Sequence, residues 1–114
     1  MNDLPKALND LFPSVHSHEK RALLIKELQQ QVARDFRLEE QPDPNQILFF
    51  IKKNLTPYEN NLEGLRDLLY RIDLEEKSYD KTSLSEYSIE DLAVRILKRE
   101  AQKVVFRLQY SGKL

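Results

Sequence analysis

The chain contains no cysteine and no tryptophan. Without cysteine there is no disulfide framework, no thiolate metal site and no cysteine nucleophile. Glycine is almost as scarce, with only Gly64 and Gly112 in 114 residues. A glycine-rich loop that could cradle phosphate is therefore excluded, and no Gly-x-Ser-x-Gly nucleophile turn exists. The longest apolar run is Ile47-Leu48-Phe49-Phe50-Ile51, far short of the ~20 residues that cross a bilayer. No membrane role is expected. Met1–Lys6 lacks a basic region followed by an apolar stretch, so it does not resemble a secretory signal, and a cytoplasmic location is expected. Charge of one sign is lacking too: the formal net charge is −1. With 40% hydrophobic residues spread along the chain, the composition is that of a folded domain rather than a disordered segment.

What is present favours helix. Leu, Lys, Glu, Gln and Arg are frequent, and these straight-chain residues lose little rotamer freedom in a helix. The pattern predicts an all-α fold, a compact bundle of four to five helices forming one domain over residues 1–114. A short helix is expected over Leu4–Leu11, with Asp3 as N-cap and Pro5 in its first turn. A long amphipathic helix is expected over His18–Phe36 after a Ser17 cap. Its inward face would be Ala22, Ile25, Leu28 or Gln29, Val32 and Phe36, with Glu27, Gln30, Gln31 and Arg34 on the wetter side. Glu39–Asp43 reads as a polar connection. Asp43-Pro44 then pairs a cap with proline at the first helical position, opening a helix through Ile47–Ile51 to about Asn54. Periodicity in so short a window also fits a buried strand; the cap favours helix.

Thr56-Pro57-Tyr58-Glu59 has the form of a capping box. The helix it opens would turn Tyr58, Leu62, Leu65, Leu69 and Ile72 to one side, with Gly64 either tolerated or admitting a close neighbour. Asp73–Tyr87 loses periodicity and reads as a long loop. Ser88-Ile89-Glu90-Asp91 starts the last helix, with Leu92, Ala93, Ile96, Leu97, Ala101, Val104 and Leu108 inward. Alternation over Val104–Tyr110 also fits a strand, so helix to about Leu108 is the main expectation and a C-terminal strand the lesser one.

No catalytic, cofactor-binding or metal-ligating set emerges. His16-Ser17-His18 holds both histidines of the chain, but no further His or Cys completes a zinc set. Glu59, Glu63 and Asp67 line one helix side opposite the leucines and read as a solvated surface. No cofactor is implied, and the chain is expected not to be an enzyme. Charge layout is more informative. From Arg95 onward there are six basic residues (Arg95, Lys98, Arg99, Lys103, Arg107, Lys113) and one acid, Glu100. Glu59–Asp91 holds ten acids and four basic residues. The main expectation is that the basic helix packs on acids of its own chain or of a second copy. An acidic partner or nucleic acid is the alternative, although a pI near 6.1 is low for a nucleic-acid binder. Most of Phe49, Phe50, Tyr58, Tyr70, Phe106 and Tyr110 are expected in the core. Adjacent Phe49 and Phe50 point ~100° apart in a helix, so burying both requires a central helix or a partner. The candidate partner surface is therefore Phe49, Phe50, Arg95, Arg99, Lys103 and Arg107, and the expected role is protein–protein interaction or homo-oligomerisation.

Leu68-Leu69-Tyr70-Arg71-Ile72-Asp73 and Arg99-Glu100-Ala101-Gln102-Lys103 resemble stretches of small uncharacterised bacterial helical proteins. The resemblance spans roughly the C-terminal half. It implies an all-helical fold and a bacterial origin, and brings no activity, ligand or catalytic residue.

Overall fold

The computed structural model describes residues 18–74 and 88–113. The expected helix over Leu4–Leu11, the Ser17 cap, His16 and most of the Asp73–Tyr87 loop lie outside the described residues. Within them the fold is all-α, with four α-helices: α1 (His18–Asp35), α2 (Ile47–Leu55), α3 (Leu62–Ile72) and α4 (Ile89–Tyr110). Short 3₁₀ turns, Pro44–Gln46 and Thr56–Tyr58, precede α2 and α3. α4 is the central element, and α1, α2 and α3 all pack against it.

Each helix boundary has a local cause. The α1 helix ends where Arg37 takes a left-handed φ of 55°, which lets the Leu38 N–H reach the Ala33 carbonyl at 2.8 Å. This is the six-to-one bond of a Schellman stop. Asp43 caps the next turn, its Oδ1 accepting from the Asn45 N–H at 3.1 Å. Asp73, with φ 65°, ends α3 in the same way as Arg37 ends α1, and the Leu74 N–H reaches the Leu69 carbonyl. Leu74 is then buried beneath the turn. Ser88 caps α4 by accepting from the Asp91 N–H at 3.1 Å, as its sequence predicts.

The capping box at Thr56 does not form. Thr56 Oγ1 instead donates back to the Lys52 carbonyl at 3.1 Å, and the chain makes only a 3₁₀ turn. The cap of α3 is Asn61, whose Oδ1 accepts from the Gly64 N–H at 2.9 Å. Gly64 admits a close neighbour, but that neighbour is this cap and not a second helix: a Cβ there would lie 2.6 Å from Asn61 Nδ2 and 3.1 Å from the Tyr58 ring.

One hydrophobic cluster joins the four helices. Leu24, Leu28, Val32 and Phe36 come from α1 and the residue after it; Ile47, Ile51 and Leu55 from α2; Leu65, Leu68, Leu69 and Ile72 from α3. All seven residues expected to face inward on α4 are buried. Four expectations fail. On α1, Ala22 is exposed and Ile25 only half-buried, while Leu24 is fully buried. A strict four-residue spacing brings the larger leucine to the core. Leu62 of α3 is exposed, and α4 continues as helix to Tyr110, so the strand reading of its end is overturned. Finally, none of Phe49, Phe50, Tyr58, Tyr70, Phe106 and Tyr110 reaches the fully buried class. Apart from Phe36, aliphatic residues fill the inner positions, leaving these six rings at the margins.

Candidate functional site

Two regions hold the chemistry-bearing residues: a polar cluster in the seam between α1 and α4, and the outer side of α2.

The seam is built by helical spacing. Arg99, Lys103 and Arg107 recur every four residues on α4, and Glu27, Gln31 and Asp35 do so on α1, so two complementary rows meet. Arg107 donates to Gln31 Oε1 at 2.7 Å and to Glu27 Oε2 at 3.2 Å. Lys103 Nζ donates to Asp35 Oδ2 at 2.8 Å, and Gln31 Nε2 donates to the same oxygen at 2.9 Å. Gln31, expected on the wetter side, is buried here. Arg99 turns to the end of α3, where it grips Asp73 through both the carbonyl and Oδ2 at 2.8 Å. The basic last helix thus pairs with its own chain. Among the described residues its acidic partners include Asp73, from the Glu59–Asp91 segment, and Glu27 and Asp35, from α1.

Beneath the seam lies Glu100, with no exposed surface. Lys103 Nζ is 3.1 Å from its Oε2, yet neither carboxyl oxygen accepts a hydrogen bond. An ionised carboxylate would be left unsatisfied there. Burial, reinforced by a hydrogen bond to Asp35 and by that residue's negative charge, pushes the Glu100 carboxyl up to about 9. Lys103 opposes the shift without cancelling it. Glu100 is therefore a neutral acid at pH 7, donating to Asp35. Burial of Asp35 works to raise its own carboxyl, but hydrogen bonds from Glu100, Lys103 and Gln31, together with the Lys103 charge, hold it below its ordinary value.

Two adjacent carboxyls driven apart in this way are the arrangement that acid/base catalysts use. Here, however, Glu100 is sealed from solvent, and the side chains around it satisfy Asp35. An open groove of about 540 Å³ lies elsewhere, lined by Leu74, Asp91, Val94, Arg95, Lys98, Arg99 and Gln102. Neither Asp35 nor Glu100 reaches it. The pair lies between α1 and α4, away from that groove.

The outer side of α2 is the reverse case. Ile47, Ile51 and Leu55 take the inward side, which turns Phe49 away from the core at 59% exposure. Phe50 is half-buried, and its ring meets Phe49 edge-on, with centroids 6.0 Å apart at 82°. Lys53 is exposed on the same helix. Of the sequence-predicted surface, then, Phe49 stands out into solvent, Phe50 supports it, and Arg95 lines the groove. Arg99, Lys103 and Arg107 are engaged within the chain. They do not gather with Phe49 into one patch. Glu27, Gln31, Asp35 and Glu100 were not singled out from the sequence, although Glu100 shares the phase of the inward residues Ile96, Ala93 and Val104.

Comparison with known protein families, with curated proteins and with solved structures found no match.

Proposed function

We propose that this chain is a non-enzymatic interaction or accessory module that binds another protein, or a second copy of itself, through an outward helical face. The observation that supports this most is Phe49, a phenylalanine with 59% of its surface exposed, braced by Phe50 and set opposite the buried stripe of its helix. Covering the exposed part of such a ring contributes roughly 1–2 kcal/mol. Aromatic side chains anchor many interfaces for this reason. Phe106, at 54% exposure, and Tyr110, one turn further along α4, offer a second apolar spot.

A nucleic-acid role would draw on Arg95, Arg99, Lys103 and Arg107. It is the weaker reading, because reaching phosphate with Arg99, Lys103 or Arg107 would detach it from Asp73, Asp35, or Gln31 and Glu27. A cytoplasmic setting suits a cysteine-free interaction module.

The test is site-specific photocrosslinking from position 49, with benzoylphenylalanine in place of Phe49. Crosslinks to protein, either this chain or another, are expected. Failure to crosslink to any protein in the native cell would refute the reading. Crosslinks from position 106 to nucleic acid would replace it with the alternative.

A further inference from the structure

We infer that α1 is a releasable arm, locked onto α4 by a proton on Glu100, and that loss of this proton frees α1 while α2 and α3 stay packed on α4.

The lock follows from the charges in a closed space. Glu100 has no exposed surface, and the Asp35 and Lys103 side chains beside it are only 12% and 18% exposed. Lys103 Nζ lies 2.8 Å from Asp35 Oδ2 and 3.1 Å from Glu100 Oε2. One ammonium balances one carboxylate, and Asp35 is the better served of the two. Its Oδ2 also accepts from Gln31 Nε2 at 2.9 Å, whereas neither oxygen of Glu100 accepts a hydrogen bond. A second anion there would be buried, unsatisfied and next to a like charge, a costly state for a carboxylate. The proton therefore stays on Glu100 while the seam is closed.

Neighbouring cations are engaged elsewhere. Arg107 is held by Gln31 and Glu27, Arg99 by Asp73, and Arg71 from the end of α3 by the Asp35 carbonyl. Arg34 on α1 and Glu63, Arg66 and Asp67 on α3 are exposed, and Lys52 and Lys53 on α2 lie outside the buried class. Among all these charges, Asp35 and Lys103 are the ones that act on Glu100.

The helix that lets go is set by topology. The like charge beside Glu100 sits on α1, so moving α1 away both hydrates Glu100 and removes its anionic neighbour. α1 packs chiefly against α4, while α2 and α3 have their own contacts with α4. Residues 36–43, between α1 and the Pro44–Gln46 turn, carry no helix, so α1 can swing without unwinding α2. Release bares Leu24, Leu28 and Val32, all buried in the closed form.

The closed form holds the Glu100 proton up to about pH 9, whereas an open form returns the carboxyl to its ordinary 4.5. Between those values the open population rises about ten-fold for each pH unit. Closure is complete below the lower value and is lost progressively as pH climbs to the upper one.

The test is amide hydrogen exchange by mass spectrometry on the full chain from about pH 6 to about pH 9, with each rate divided by the intrinsic rate at that pH. Peptides from α1 are expected to open more readily than those from α2, α3 and α4. Their opening constant is expected to rise about ten-fold per pH unit. Glu100→Gln flattens that rise, and Glu100→Met, which also cannot ionise, does the same. Equal protection of α1 and α4 at every pH overturns the inference, because α1 would then leave only when the whole chain unfolds. Easier opening of α1 with no pH dependence overturns it too, since Glu100 would stay sealed as α1 opens. A pH dependence that survives both substitutions assigns the proton to another group and has the same consequence.

Discussion

Replacing Glu100 with glutamine should stabilise this protein at neutral pH, and by an amount that grows with pH. The folded chain holds the Glu100 carboxyl at about 9, against an ordinary 4.5. At pH 7 the unfolded chain carries the group ionised while the folded chain carries it protonated. Folding then forfeits about 1.4 kcal/mol for each pH unit above 4.5, roughly 3 kcal/mol at pH 7. The sign follows from the raised value. Below 4.5 both states are protonated and nothing is lost; from there to about 9 stability falls as pH rises, and above that the loss is complete. Glutamine cannot ionise, and its amide can donate to Asp35 as the acid does. Its second N–H has no partner waiting, which costs about 1 kcal/mol. The expected result is a variant about 2 kcal/mol more stable at pH 7 and no more stable than wild type near pH 5. Urea unfolding followed by far-UV circular dichroism, repeated from about pH 5 to about pH 8, measures the difference. A constant gap between the two proteins across that range would refute the reasoning, because it would mean that Glu100 folds as a carboxylate paired with Lys103.

Two further predictions concern the start of α3. Asn61→Ala should cost about 1 kcal/mol through loss of its bond to the Gly64 N–H. Thr56→Ala, despite the capping-box sequence, should change stability by less than ~0.5 kcal/mol; chemical denaturation of the two variants ranks them, and a larger loss at Thr56 would restore the capping box. Gly64→Ala should destabilise although alanine is the better helix former by ~1 kcal/mol, since its Cβ would strike Asn61 Nδ2 at 2.6 Å. In an Asn61→Ala background the same change should turn neutral or favourable, and a thermal-melt double-mutant cycle reads the coupling.

How far the sequence can be read depends on how local the deciding interaction is. Ser88 was legible because a cap needs only its own side chain and an amide three residues on. The inward stripe of α4 was legible because a 22-residue helix repeats its pattern often enough to fix the phase. Thr56-Pro57-Tyr58-Glu59 misled because its residues also suit a 3₁₀ turn, and which form wins depends on where Leu65 and Leu69 must meet the core. On α1, Ala22 and Leu24 lie ~200° apart and head two alternative stripes, and spacing alone does not choose between them. The six aromatic residues misled for a related reason: their size suggests burial, but the core is filled mainly by aliphatic residues with Phe36, leaving these six rings outside it.

The sequence by itself determined that this chain is helical, where most of its helices start and stop, and that its last helix is basic. Those properties arise from rotamer freedom, capping and periodicity, all of which act within a few residues. Tertiary structure decided what the charges and rings do. Asp35 and Glu100 lie 65 positions apart in the numbering, and only the packing of α1 on α4 brings their carboxyls together, making one a buried neutral acid and the other an anion. The same packing takes up Arg99, Lys103 and Arg107 in contacts within the chain and leaves Phe49 outside. Electrostatics and burial depend on distance in space, and the fold sets that distance.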